Sequence, residues 1–199
     1  LIRGSRLIDP AEGVDGAFDL LIEGGRVARV DRDIPPRGGD DVLDAGGLVA
    51  APGFIDVHVH LREPGEEYKE DIESGTRAAA AGGFTAVACM ANTDPVNDSS
   101  SITERILKRA REAAACRVHP IGAVSAGRRG ERLTEMADQR AAGCVAFSDD
   151  GAPVRTAQLM RSALEYAGML GVPILDHAED MSLSGGRVMN EGAVSTALG

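Results

Sequence analysis

Apolar and polar positions change rhythm once along this chain. Over residues 1–50 the apolar residues fall in short β-rich runs, LIRGSRLID, FDLLIEGGRVARV and DVLDAGGLVAAPG, punctuated by Gly, Asp and Pro. The EGGR at 23–26 lies between LLI and VARV and reads as a tight hairpin whose glycines supply positive φ. A small β module over 1–50 is expected.

From Phe54 the rhythm becomes strand, helix, strand, helix. Near-continuous apolar runs occur at 54–60 (FIDVHVH), 84–90 (FTAVACM), 117–124 (RVHPIGAV), 144–150 (CVAFSDD) and 172–178 (VPILDHA). Their starts lie 27–33 residues apart, the length of a βα unit. Helical segments are predicted at roughly 67–81, 99–115, 131–142 and 156–170. The last carries Leu159, Met160, Ala163, Leu164, Ala167 and Leu170 at the 3.6-residue period. Gly82, Gly143 and Gly171 stand at helix ends, and Asp98-Ser99-Ser100 offers N-caps for the second helix.

Repeated βα units with apolar strands predict a parallel sheet covered by helices, either open and doubly wound or closed as a (βα)8 TIM-type barrel. No GxGxxG follows the first strand, and polar residues cluster at the C-terminal ends of several strands, where barrel active sites sit. The barrel is favoured. Residues 51–199 then hold about five of its eight units. The chain starts without Met and stops at SGGRVMNEGAVSTALG with no element finished, so it is expected to be part of a longer protein.

Composition narrows the function classes. Of 199 residues 43% are apolar, enough for a substantial core, and the net charge of −10 argues against nucleic-acid binding. No run approaches the 18 apolar residues of a membrane helix. Cys89, Cys116 and Cys144 are odd in number and widely spaced, fitting neither a disulfide framework nor a CxxC metal pair. A reducing, cytoplasmic setting is expected, with Cys89 and Cys144 as small core residues.

The candidate chemistry begins with FIDVHVHLREPG at 54–65. Residues i and i+2 of a strand face the same side, so His58 and His60 project together. Alone, an HxH pair is as often structural as functional. In the barrel, however, His58 and His60 end the first strand, Asp149 and Asp150 the fourth, and His177 the fifth, all at one mouth. Imidazole nitrogens with a carboxylate suit Zn²⁺ and similar ions. Asp56 shares the parity of the two histidines and is placed to support them. His119, early in its strand, reads as structural, and Glu179 as either a partner of His177 or one half of a salt bridge.

DVHVHLREPG, MANTDP, FSDDG and LDHAED together resemble the cyclic amidohydrolases, most closely the bacterial class I dihydroorotases, over essentially the whole chain. The resemblance implies a metal centre built from His58, His60, Asp150 and His177, with a strand-six His and a strand-eight Asp that are not in this sequence. Asp150 is assigned both as ligand and as catalytic residue. One or two Zn²⁺ ions are expected. Hydantoinases, dihydropyrimidinases and allantoinases carry a lysine on strand four. CVAFSDDG has none, and Asp150-Gly151 fits the dihydroorotase pattern. Asp149, facing away from Asp150, is expected to orient a loop.

The implied reaction is the reversible cyclisation of N-carbamoyl-L-aspartate to dihydroorotate, in pyrimidine biosynthesis. Arg62 offers a planar fork for the substrate carboxylate, and Asn92 matches the family's Asn beside it. The β module would be part of a β-sandwich completed by a C-terminal segment. Homo-oligomerisation and association with aspartate transcarbamoylase are family expectations. The competing readings are a catalytically silent dihydroorotase-like subunit that scaffolds the transcarbamoylase, and a hydantoinase or allantoinase.

Overall fold

The structure, a computed structural model, describes residues 1–184 and 189–199. It separates into two compact units, Leu1–Gly53 and Phe54–Gly199.

The first unit is a five-stranded sheet. β1 (Ile2–Asp9), β2 (Val14–Glu23) and β3 (Arg26–Asp31) run antiparallel to their neighbours, and the short β4 (Leu43–Asp44) and β5 (Val49–Ala50) pair with β1 in parallel. The β2–β3 turn is the expected EGGR hairpin, with Gly24 at φ 57 and Gly25 at φ 75. Side chains alternate along β1, so that Ser5 and Leu7 are buried while Gly4 and Arg6 between them are exposed. Asp19 is 4% exposed, and its carboxylate accepts the backbone N–H groups of Gly4 (2.8 Å) and Ile34 (3.0 Å). It ties β2 to β1 and to the segment after β3. The apolar side chains of Val27, Val30, Leu43 and Val49 remain exposed.

The second unit alternates strand and helix. β6 (Phe54–Val59), β7 (Phe84–Cys89), β8 (Arg117–Gly122) and β9 (Ala146–Phe147) form one parallel sheet in sequential order. They are joined by α1 (Ile72–Ala81), α2 (Ser100–Ala113) and α3 (Met136–Ala142), and α4 (Ala157–Leu170) follows β9. Two short helices, α5 (Met181–Ser184) and α6 (Ala193–Leu198), complete the described residues. Alternate β7 side chains enter different clusters. Val87 and Cys89 pack with Ile72, Ile106 and Val118, whereas Ala88 and Met90 pack with Ile121 and Ala146. Both faces of the sheet are therefore covered, as a parallel sheet requires. Cys89 and Cys144 are buried free thiols, and burial pushes the Cys89 thiol up to about 12.

Several boundaries differ from the sequence reading. α1 starts at Ile72 rather than near 67, because Asp71 caps it: its carboxylate accepts the Ser74 N–H at 2.7 Å in a capping box. Ser99 is the N-cap of α2 but makes no side-chain cap bond, and the Asp98 carboxylate instead accepts the Gly127 N–H at 2.8 Å. α3 starts at Met136, since Leu133 bridges Ser125 and the Thr134 N–H donates to the Val124 carbonyl at 3.0 Å.

The fifth expected strand, at 172–178, forms only a bridge between Ile174 and Phe147, flanked by N–H···O bonds from Phe147 to Pro173 (3.1 Å) and from Leu175 to Phe147 (2.9 Å). It lies in parallel register but is paired along one edge only among the described residues. A single bridge is too short a ladder to make a strand.

Candidate metal centre

β6 ends at Val59, so His58 lies in its last turn of pleat and His60 just beyond. The Asp56 carboxylate accepts the His58 backbone N–H at 3.0 Å, bracing the strand end as its parity suggested. The two imidazoles meet edge to face, centroids 5.2 Å apart. Asp150 follows β9, at the other edge of the four-stranded sheet from β6, and is 8% exposed. Its backbone N–H donates to Ser148 Oγ at 3.1 Å, and its carbonyl accepts from Arg128. The turn that presents Asp150 is thus held at both ends of the residue.

The Asp150 carboxylate faces three imidazoles. Oδ1 lies 3.4 Å from His58 Nε2 and 3.4 Å from His177 Nδ1, and Oδ2 lies 3.5 Å from His60 Nε2. These are too long for charge-assisted hydrogen bonds, which run about 2.7–2.9 Å. They match instead the edge of a tetrahedron: two ligands each about 2.0–2.2 Å from one zinc ion sit roughly 3.3–3.5 Å apart. One ligand atom from each of His58, His60 and Asp150 lies within 4.8 Å of the others. The donor set and its spacing fit a divalent metal of the zinc type. His177 lies outside that tight group and reaches it through Asp150 Oδ1, while its Nε2 lies 3.4 Å from Glu179 Oε2. Glu179 in turn accepts the Ser184 hydroxyl at 2.6 Å. A carboxylate behind a histidine that points its other nitrogen into a polar cluster is a recurrent way of fixing a metal ligand.

The neighbouring Asp149 turns away. It accepts the Ser125 N–H at 2.9 Å and the Ser125 hydroxyl, which also receives the Gly130 N–H at 2.7 Å. Burial raises its pKa, partly offset by these bonds. Adjacent residues thus divide the work, Asp150 toward the histidines and Asp149 to the loop after β8.

Arg62 and Asn92 lie on the loops that leave β6 and β7. The Asn92 side-chain oxygen is 2.9 Å from His60 Nδ1, placing Asn92 against the cluster. Arg62 has φ +60, and its guanidinium pairs with Glu66 at 3.3 Å. The two loops are laced together: the Asp94 N–H donates to the Pro64 carbonyl at 2.9 Å, and a Cβ on Gly65 would come within 1.8 Å of the Asp94 carbonyl oxygen. Only glycine permits that approach. His119 sits opposite Ala88 in the β7–β8 register, below the strand ends.

Arg128 escaped the sequence reading. In SAGRRG it is one of two adjacent arginines with no pattern to mark it, and only the fold brings it to the Asp150 carbonyl. The contact between Asn92 and His60 likewise spans 32 residues and has no local signature.

A family model described as dihydro-orotase-like matches residues 47–199. Dihydroorotases of Geobacter metallireducens and Syntrophotalea carbinolica are 53% and 55% identical over the whole chain, which covers 47% of each. The chain spans about half the length of the curated relatives it matches. Among solved structures, the L-hydantoinase (dihydropyrimidinase) of Arthrobacter aurescens superposes with a TM-score of 0.80 at 21% identity, over 93% of this chain and 42% of that one. A crystal structure of a dihydroorotase superposes at 0.58 and 14% identity, over 87% and 49%. The fold is shared with both, and with the family match over residues 47–199 the chain belongs to the dihydro-orotase-like family.

Proposed function

We propose that the protein is a zinc-dependent dihydroorotase, closing N-carbamoyl-L-aspartate to dihydroorotate and water and catalysing the reverse hydrolysis. The observation that carries this reading is the Asp150 carboxylate set 3.4–3.5 Å from His58, His60 and His177, a ligand spacing without hydrogen bonds. His58, His60 and Asp150, with His177 beside them, would hold one or two such ions. A bound ion supplies Lewis acidity, acidifying a coordinated water and polarising the carbonyl that is attacked.

The chain's own residues supply positioning. Arg62 offers a fork to the substrate carboxylate, and Asn92 an amide beside it, so that the reacting carbonyl meets the metal rather than sampling the cleft. Asp150, nearly buried and facing the histidines, would serve as the ligand carboxylate beside the reacting atoms, and proton transfer to the leaving nitrogen falls to the strand-eight Asp that the resemblance implies. The exposed Val27, Val30, Leu43 and Val49 support the reading of the first unit as one part of a β-sandwich completed by another segment. The one-edged pairing of Ile174 supports a barrel that continues beyond it.

Hydantoinases share the fold, but strand four carries Asp150 where a carboxylated lysine would be needed. A silent subunit is disfavoured because His58, His60, Asp150 and His177 are all retained and converge. Purification of the intact protein without chelators, followed by metal analysis and a ring-closure assay on N-carbamoyl-L-aspartate, tests the proposal. About one or more zinc ions per chain with turnover is the expected result. A protein without stoichiometric metal, or one that holds metal but leaves the substrate unchanged, overturns it.

A further inference from the structure

His60 and Asn92 constrain each other. His60 Nε2 faces Asp150 Oδ2 at 3.5 Å within the ligand group, so Nε2 must present its lone pair if it is to bind a metal. A neutral imidazole then carries its proton on Nδ1. That nitrogen lies 2.9 Å from the Asn92 side-chain oxygen. The oxygen must therefore be the acceptor, which turns the Asn92 NH₂ away from His60 and leaves it as a donor for something else.

Asn92 is firmly mounted. The N–H groups of Thr93 (2.9 Å) and Asn97 (3.0 Å) both donate to the carbonyl of fully buried Ala91. Asn97, also fully buried, donates its side-chain amide to the Ile121 carbonyl and accepts the Thr103 hydroxyl, each at 2.8 Å. On the other side the Met90 N–H donates to the Val59 carbonyl at 2.9 Å, one residue from His60. The Asp94–Pro64 bond and the close approach at Gly65 tie the same loop to the turn carrying Arg62.

We propose that Asn92 is a positioning residue for the metal as well as a donor to the substrate carboxylate. Its Oδ1 locks His60 as the Nδ1–H tautomer with Nε2 aimed at the ion, while its NH₂ serves the carboxylate held by Arg62. One side chain then couples the two binding events, and by linkage each tightens the other by the same factor. The carboxylate half rests on the reaction proposed above; the His60 half rests only on the metal.

The two halves separate in the intact protein. Zinc dissociation constants, measured by competition with a chromophoric chelator, are compared for the native protein, Asn92→Ala and Asn92→Asp, alongside KM and kcat for N-carbamoyl-L-aspartate. Asn92→Ala removes the acceptor and loosens zinc about 10- to 100-fold. Asn92→Asp keeps an acceptor for Nδ1–H, so zinc binds within about threefold of the native value or more tightly, while its negative charge raises KM by about tenfold or more. Added N-carbamoyl-L-aspartate tightens zinc more in the native protein than in Asn92→Ala, where only the direct contact between substrate and ion still links the two. Equal zinc affinity in Asn92→Ala and the native protein overturns the proposal, as does Asn92→Asp losing zinc to the same extent as Asn92→Ala. If Asn92→Ala does not fold, Asn92→Leu, which keeps the volume and removes the acceptor, reads the same arm. A native protein that binds zinc but never closes the ring overturns the proposed function and the carboxylate half, and the zinc constants still decide the role of Asn92 at His60.

Discussion

Arg62 holds a left-handed backbone, φ +60, that side chains other than glycine seldom adopt. Such conformations persist where surrounding structure enforces them, often at binding sites. Here the following Glu63 is fixed twice over, its carboxylate accepting the Ile72 N–H at 2.9 Å and pairing with Arg109 at 3.0 Å. The result is a guanidinium delivered two residues past His60 by a turn that cannot easily relax. Replacement by lysine keeps the charge and loses the planar fork. Arg62→Lys is expected to raise KM for N-carbamoyl-L-aspartate about 10- to 100-fold, the value of a charged hydrogen bond, while zinc content is unchanged. Steady-state kinetics with metal analysis checks it, and unchanged KM and kcat would remove Arg62 from the substrate site. At this scale strand parity put His58 and His60 on one side and a short motif singled out Asp150, which the structure brings to 3.4–3.5 Å from them, while the role of Arg62 is what the kinetics test. Arg128 and the Asn92–His60 contact could not be found in the sequence, because long-range approach leaves no local trace.

Among elements, periodicity located β6, β7, β8 and the four long helices, and misplaced mostly the helix starts. Capping and bridging decide those starts: Asp71 with Ser74 for α1, the Ser125–Leu133 bridge before α3. The run at 172–178 has strand composition, yet pairing rather than composition makes a strand, and here only Ile174 bridges. In the β module Asp19 is the residue that joins elements. The N–H groups of Ile34 first and Gly4 second hold its carboxyl below the ordinary 3.8. A value lowered by folding means that its contribution is present above 3.8 and is lost as pH falls through the lower folded value. Asp19→Ala is expected to destabilise this module by about 1–3 kcal/mol, through the buried Ile34 N–H and the partly buried Gly4 N–H left without an acceptor. Faster amide exchange at Gly4 and Ile34 in the intact protein checks this, and the variant should lose the native protein's added sensitivity below pH 3.8. Native-like exchange at both amides would show that Asp19 carries little of the joint.

For the whole molecule, the consequence of the metal centre is that ligands from separated stretches are drawn together. His58 and His60 follow one strand, Asp150 follows another and His177 lies near the end of the second unit. An ion held among them binds the folded chain and has no comparable site in the unfolded one. Zinc at about 100 times its dissociation constant should therefore stabilise the protein by about 2.7 kcal/mol. Thermal unfolding with zinc and with excess chelator measures it; a Tm that ignores both would mean that no ion is held by these residues. Among the described residues no helix is long and apolar enough to cross a membrane.

The sequence by itself determined the change of rhythm at residue 54, the strand–helix alternation, the parity that puts His58 and His60 on one side, and an Asp where a lysine would mark a hydantoinase. These are local properties, written in spacing and residue type. Only the tertiary structure decided how near the Asp150 carboxylate comes to the three histidines, that Asn92 is bonded to His60, and that Arg128 steadies the Asp150 turn. Each of those depends on which residues, 22 to 92 positions apart, the parallel sheet brings to the same strand ends.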